Sequence, residues 1–361
     1  MAGSGGGAVR DSPLTEIEIR NFKCFEQLRL EGLQRINLIG GKNNVGKTAF
    51  MEAVELFVSS SKVQDLFNAV RRMIKRRQRN SRLEYREPDF INKITLKVEI
   101  LSGDDFSTIE YVEGPIQGEP VQTKFSFGVD EEAPLAEWEP SLLFSVNGGQ
   151  KAVPIQLIIS TGPVMAGRGH GVPLVETNFV SSETTEEREL AIFYGALVDT
   201  NKEAFLNESL QLFDENIVSL KQRVLESGVV LKVEMKNHAS PVLLSSLGQG
   251  INRYIAMLCA IWASQDGFLF IDEIENGIHY TNYHKLWEIL FQASKAANCQ
   301  VFATTHSAEC IQAFHEANDL DEGAYFEFYE NVKKKNISAH KMDKKLLAYA
   351  LSHDGRIRGE S

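Results

Sequence analysis

From Leu14 to Phe22 apolar and polar residues alternate, the two-residue period of a strand with one buried face, and Leu28 to Leu30 begin its hairpin partner. Ile36-Asn37-Leu38-Ile39 is a short apolar strand, followed by a glycine-containing loop and then by Thr48 to Val58, whose apolar residues recur at helical spacing. Residues 62–87 carry a second helical pattern. Three runs beyond it, 94–100, 121–127 and 153–159, read as strands separated by turn residues, which predicts an antiparallel sheet. Glycines and prolines crowd residues 160–175 and mark a loop. A helical stretch over 185–227 follows, then a strand at 229–235 and a long apolar helix at 251–264. The remaining chain alternates: strand 268–271, helix 283–297, strand 300–304 and a helix from Ala308.

At 361 residues the chain exceeds the usual domain size of about 100 to 200 residues, so two lobes or two domains are expected. The pattern divides it into a flexible tail at 1–12, a first lobe at 13–160 with the glycine loop and the antiparallel sheet, a helical lobe at 161–264, and a return to the first lobe at 265–361. Hydrophobic residues make up 43% and charged residues 24%, as in an ordinary globular protein. No run approaches the roughly 20 apolar residues of a spanning helix, and the first residues lack the regions of a signal peptide, so no membrane partner is expected. Cys24, Cys259, Cys299 and Cys310 show no CxxC spacing, which suggests neither a zinc site nor a disulfide framework and fits a reducing cytoplasm. A net charge of −11 directs any nucleic-acid binding to a local patch. One exists in sequence: eight basic residues lie between Arg71 and Arg86. Such a run is most often a solvated helix face, with a partner-protein surface or DNA as alternatives.

The loop Gly41-Lys42-Asn43-Asn44-Val45-Gly46-Lys47-Thr48 fits the pattern G-x-x-x-x-G-K-[ST] between a strand and a helix. The chemistry requires that pattern: glycines let backbone N–H groups approach phosphates closely, and the helix N-terminus adds favourable dipole charge. Lys47 then reaches the β- and γ-phosphates of ATP, and Thr48 supplies a hydroxyl to Mg²⁺. A second apolar strand ends in Asp272-Glu273, at the sheet edge where ligands of such folds bind. Asp272 is a metal-holding candidate, and Glu273 is placed to take a proton from an attacking water. Thr304-Thr305-His306-Ser307 ends a third strand; His306 is a candidate to bond the γ-phosphate or orient the water, against the commoner reading of a packed or surface histidine. Ser245-Ser246-Leu247-Gly248-Gln249-Gly250 precedes a helix and offers a second anion-binding end, or a plain turn and cap.

Taken in order, these pieces resemble the ABC-type ATPases, in the cytosolic branch that includes the structural-maintenance-of-chromosomes, RecF-like and overcoming-lysogenization-defect ATPases. They are most similar to small prokaryotic ATPases of phage-defence or toxin-linked operons. The shared traits are Ile17-x-Ile19-x-Asn21-Phe22-Lys23-x-Phe25, the loop 41–48, the turn 246–250, Ile271 to His279, and Thr304 to Ser307. The resemblance implies an α/β fold of the ABC-ATPase P-loop type, with a mixed central sheet, an antiparallel β subdomain and a helical lobe carrying the signature motif. It implies an ATP hydrolase with Glu273 as catalytic base, His306 as switch histidine and Lys47 on the phosphates. It implies also a homodimer or higher oligomer in which Ser246, Gly248 and Gln249 of one copy close over ATP held by the other. Glu275, Asn276 and His279 would occupy the loop lining that contact, with His279 open between contact and packing. The turn departs from the transporter branch, which carries two consecutive glycines there. No coiled coil, zinc hook or appended nuclease cluster is evident in the sequence, so three functions stand side by side. They are control of a separately encoded nuclease or toxin, DNA-bound repair or chromosome upkeep through Arg71–Arg86, and an ATP-dependent scaffold with little turnover.

Overall fold

The computed structural model describes residues 13–78, 96–112, 140–159, 175–182, 185–226, 228–331 and 336–352. The tail at 1–12, the strand read at 121–127 and nearly all of the 160–175 loop lie outside the described residues.

The N-terminal alternation forms β1 (Glu16–Phe22) and its hairpin partner β2 (Phe25–Glu31), followed by β3 (Ile36–Gly41), α1 (Lys47–Val58) and α2 (Val63–Gln78). Next come β4 (Lys97–Ser102), β5 (Asp105–Val112), β6 (Ser141–Val146) and β7 (Gly149–Pro154). Together β2-β1-β4-β5-β6-β7, in that order, make an antiparallel sheet. The run read as a strand over 153–159 is half correct, since the strand stops at Pro154 and Ile155–Ile159 is a short helix, α3. Periodicity cannot separate strand from helix in so short an apolar run. What decides it is three-residue spacing: Ile155 and Ile158 are buried on one side while Leu157 is exposed.

A short strand, β8 (Thr177–Val180), leads to α4 (Glu187–Asp199) and α5 (Glu203–Phe213), then β9 (Ile217–Leu225), β10 (Gly228–Met235) and β11 (Val242–Leu243). The single helical stretch expected over 185–227 is therefore two helices and a strand. Ile217, Val218 and Val224 are β-branched, and a strand that pairs with them antiparallel follows at once, so the cross-strand ladder overrides helical spacing. The chain continues with α6 (Gln249–Ala263), β12 (Phe268–Ile271), α7 (Tyr283–Ala296), β13 (Gln300–Thr304), α8 (Ala308–Ala317), β14 (Gly323–Asn331), β15 (Asn336–Met342) and α9 (Lys344–Ser352).

The central sheet runs β15-β14-β3-β13-β12-β8. Its pairs are parallel except β14 with β15. Strands buried on both faces need apolar residues at every position, which is why β12 reads Phe-Leu-Phe-Ile without a polar break. The two-residue period then sorts them. Leu269, Ile271, Val301 and Ala303 enter one core with α6, α7 and α8, whereas Phe268, Phe270 and Phe302 enter the other with α1, α2 and the antiparallel sheet. On that second face Phe179, Phe270 and Phe302 stack across adjacent strands with centroids 6.0 and 5.6 Å apart, and Phe50 of α1 meets Phe302 at 6.3 Å. Helix α1 is thereby fixed over the sheet, and with it the loop that precedes it.

Candidate nucleotide-binding and active site

The loop 41–48 joins the C-terminal end of β3 to α1. Gly46 has φ +80°, and a Cβ there would lie 2.6 Å from Cys24 Sγ and 2.8 Å from the Phe25 ring, so neither backbone nor space admits a side chain. Gly46 directly precedes α1 and no side chain caps the helix, which leaves the first-turn amides available to an anion. Lys47 folds back over the loop: its Nζ donates to the carbonyls of Gly41 and Lys42, each at 2.7 Å. Burial lowers its pKa from the ordinary lysine value, opposed by the charges of Glu275, Asp272, Glu273 and Glu327.

Asp272 follows β12 beside this loop. The Thr48 hydroxyl lies 3.1 Å from both its carboxylate oxygens, and the Thr304 hydroxyl donates to Oδ1 at 2.6 Å. Glu273 adopts φ +49°, a left-handed conformation that costs a non-glycine residue of order 1 kcal/mol or more. Two bonds to the end of β13 hold it there: the Glu273 N–H donates to Thr304 Oγ1 at 2.8 Å, and the Ile274 N–H to the Thr304 carbonyl at 2.9 Å. Thr48 and Asp272 offer oxygen donors only, the set that suits a hard cation such as Mg²⁺, whose remaining ligands are commonly water and substrate phosphate. Among the described residues no cluster of three or more His, Cys, Asp or Glu could hold a metal.

His306 is half exposed at the end of β13, where Ser307 caps α8 by accepting the Cys310 N–H at 3.1 Å. Its backbone N–H donates to Glu275 Oε1 at 2.8 Å, and its Nδ1 lies 3.0 Å from the same oxygen. Asn276 and His279 are exposed, and the His279 ring bonds the Thr281 hydroxyl at 2.9 Å.

The turn before α6 is exposed at Ser246, Gly248 and Gln249, and no side chain caps the helix. Gly250 fits against the loop after β12; a Cβ on it would stand 2.3 Å from the Gly277 carbonyl oxygen. Four residues into α6, Arg253 reaches back with bonds to the carbonyls of Ser181 at 2.5 Å, Glu273 at 2.8 Å and Asp272. Turn and carboxylate strand are thus held as one unit.

Three residues of the site escape sequence patterning. Thr304 was visible only as a hydroxyl at a strand end, and Arg253 only as a charge on an otherwise apolar helix. Glu327 lies in β14 opposite Gly40, buried, with Tyr325 donating a hydrogen bond to it, and burial pushes its pKa up to about 7. A lone carboxylate inside the apolar run Ala324–Phe328 was the available signal.

The basic segment divides. Arg77 pairs with buried Glu52 at 2.8 Å, and Arg76 pairs with buried Glu55 at 2.5 Å while covering the Phe179 ring at 3.7 Å. Lys75 is exposed. Arg79, Arg82 and Arg86 lie outside the described residues. No helix among the described residues is long and apolar enough to cross a membrane.

Comparison with known proteins finds matches in two parts of the chain. Residues 13–126 match the model described as "AAA ATPase domain", and residues 181–311 match "AAA domain, putative AbiEii toxin, Type IV TA system". The chain is 24% identical over 341 residues to an "ATP/GTP phosphatase" of Helicobacter pylori, covering 83% of this chain and 86% of that one. Among solved structures, an SMC head bound to the C-terminal winged-helix domain of ScpA is similar at a TM-score of 0.50 and 11% identity, covering 92% of this chain and 99% of that chain. The SMC head domain from Thermotoga maritima gives 0.43 and 14%, over 92% and 100%. The likeness to the first of these heads is one of fold: a P-loop α/β architecture with a mixed parallel sheet and antiparallel sheets beside it.

Proposed function

We propose, for a chain that matches AAA ATPase-domain models over 13–126 and 181–311 and has an SMC-head-like fold, that ATP is cleaved in a site completed by a second copy, and that this cycle controls a separate effector. What supports the reading is that the turn before α6, tied through Arg253 to the end of the Asp272-Glu273 strand, is left exposed. Loop 41–48, Asp272 and Glu273 converge on one side, while Ser246, Gly248 and Gln249 are exposed on an uncapped helix end with no hydrogen bond to that loop among the described residues. A helix end that no side chain caps offers its first amides to an anion, and another molecule's ATP would supply one.

In this reading Lys47 exchanges the carbonyls of Gly41 and Lys42 for the β- and γ-phosphates, whose charge restores what burial withholds. Thr48 and Asp272 would hold Mg²⁺, which would supply neutralisation of phosphate charge. Glu273 accepts a proton from water as the water oxygen attacks the γ-phosphorus and the bond to the ADP oxygen breaks. His306 lies beside that reaction, and Ser246, Gly248 and Gln249 of the second copy close over the γ-phosphate. The matched description of a putative toxin in a Type IV system supports a toxin-linked setting; a separate nuclease or toxin as effector, and phage defence as the role, are our reading beyond it.

Phosphate release by the purified chain with Mg²⁺-ATP, together with light scattering, tests this. Glu273→Gln should lower turnover by at least about 100-fold and accumulate an ATP-dependent dimer. Undiminished turnover would remove Glu273 as the base, and a monomer at saturating ATP would remove the second copy.

A further inference from the structure

Of the carboxylates around Lys47, Asp272 and Glu273 have parts in the chemistry proposed above and Glu275 has none. Yet Glu275 is the most enclosed of the three, at 6% exposure, and among them it has the largest electrostatic effect on Lys47. Its Oε1 accepts the backbone N–H of His306 at 2.8 Å, and the ring Nδ1 of the same residue lies 3.0 Å from that oxygen, at ion-pair distance. Its Oε2 is buried without a hydrogen-bond partner among the described residues. Burying a carboxylate with one oxygen unpaired is costly, and fixing a histidine by backbone and ring together is a specific return for it.

An ionised carboxylate only accepts hydrogen bonds, so the ring nitrogen against it must carry the proton. A neutral imidazole has a single N–H, and placing it on Nδ1 strips it from Nε2. We propose that Glu275 is a positioning residue that holds His306 as the Nδ1–H tautomer, leaving Nε2 a bare acceptor toward the nucleotide. His306 then accepts a hydrogen bond from the attacking water and does not donate one to the γ-phosphate. That last step rests on the proposed ATP hydrolysis, whereas the tautomer does not.

Nitrogen NMR of the full chain labelled in its histidine rings, at about pH 8 where an ordinary imidazole is neutral, reads the tautomer directly. His306→Gln identifies the resonances by their loss. The wild-type ring should show a protonated Nδ1 and a bare Nε2. Glu275→Ala should abolish that preference and lower kcat by about 10- to 100-fold, the range for loss of a group that orients a ligand, with ATP affinity within about twofold. Glu275→Gln keeps an acceptor at Oε1 and should retain both the tautomer and most of the rate. A wild-type ring protonated on Nε2, or an Nδ1–H signature that persists in Glu275→Ala, overturns the proposal; if Glu275→Ala fails to fold, the wild-type and Glu275→Gln spectra still decide it. An Nδ1–H ring in a chain that releases no phosphate would leave Glu275's role standing and remove the ATPase reading instead.

Discussion

The hydroxyl of Thr304 donates to Asp272 Oδ1 across 2.6 Å while accepting the backbone N–H of Glu273 at 2.8 Å. One buried oxygen therefore sets both the carboxylate expected to hold the cation and the left-handed backbone that aims the expected base. Thr304→Val preserves shape and leaves the Glu273 N–H unpaired, so stability should fall by about 1–3 kcal/mol. Phosphate release should fall about tenfold or more, because the base is displaced as well. Thr304→Ser retains the hydroxyl and should recover most of both, as thermal melts and steady-state rates would show.

Gly250 and Gly248 separate structure from chemistry in the turn before α6. A Cβ at Gly250 collides with the Gly277 carbonyl at 2.3 Å, so Gly250→Ala should cost about 1–3 kcal/mol in a melt. At Gly248 a Cβ meets nothing within 4 Å. Gly248→Ala, at the N-cap of α6, should cost no more than about 1 kcal/mol while weakening ATP-dependent dimerisation of the Glu273→Gln chain. Equal dimerisation in both backgrounds would argue against a phosphate contact from this turn.

Much of the site was legible because its chemistry leaves a local mark. Gly41 to Thr48, Asp272-Glu273 and Thr304 to Ser307 each sit directly after an apolar run, and those runs proved to be adjacent strands β3, β12 and β13. Less legible were elements whose identity depends on distant partners. Thr177–Val180 is a strand because it pairs with β12, and Ile217–Leu225 because β10 lies beside it. The positive run 71–86 was read by charge alone. Charge does not disclose that Arg76 and Arg77 face Glu55 and Glu52 of α1, residues that themselves looked like ordinary helix surface.

That pairing changes how DNA binding should be tested. Reversing Arg77 to Glu sets a second carboxylate against buried Glu52, which keeps Lys23 as its other partner, and should destabilise the chain. Loss of DNA binding in such a variant would report unfolding. Lys75→Glu alters an exposed position and should change stability by less than about 0.5 kcal/mol. Titration of DNA at low and moderate salt with this variant should show weakened, salt-flattened binding if α2 grips phosphates, and wild-type behaviour if it does not.

Glu327 supplies a pH dependence with a defined sign. Its carboxyl is raised from 4.5 to about 7 by burial, so between those values the folded chain binds a proton that the unfolded chain has released. Its contribution is favourable below about 4.5 and is lost as pH rises through about 7, a change of up to about 3 kcal/mol. Glu327→Gln, which still accepts from Tyr325, should remove this part of the slope and gain on wild type as pH rises from 5 toward 8 in melts compared across that range. Parallel curves for the two chains would refute the assignment.

The strand that feeds the phosphate loop has its neighbours far along the chain: β13 and β14 flank β3, and the Asn37 side chain bonds the Val301 carbonyl 264 residues away. Loop closure over such spans is slow, and it must precede any reward from pairing. On the ribosome the antiparallel β1–β2 hairpin can form early, whereas β3 must wait unpaired until the last strands emerge. A chain that stops before β13 lacks both neighbours of β3, so the strand that feeds the phosphate loop has no partner until those strands are made.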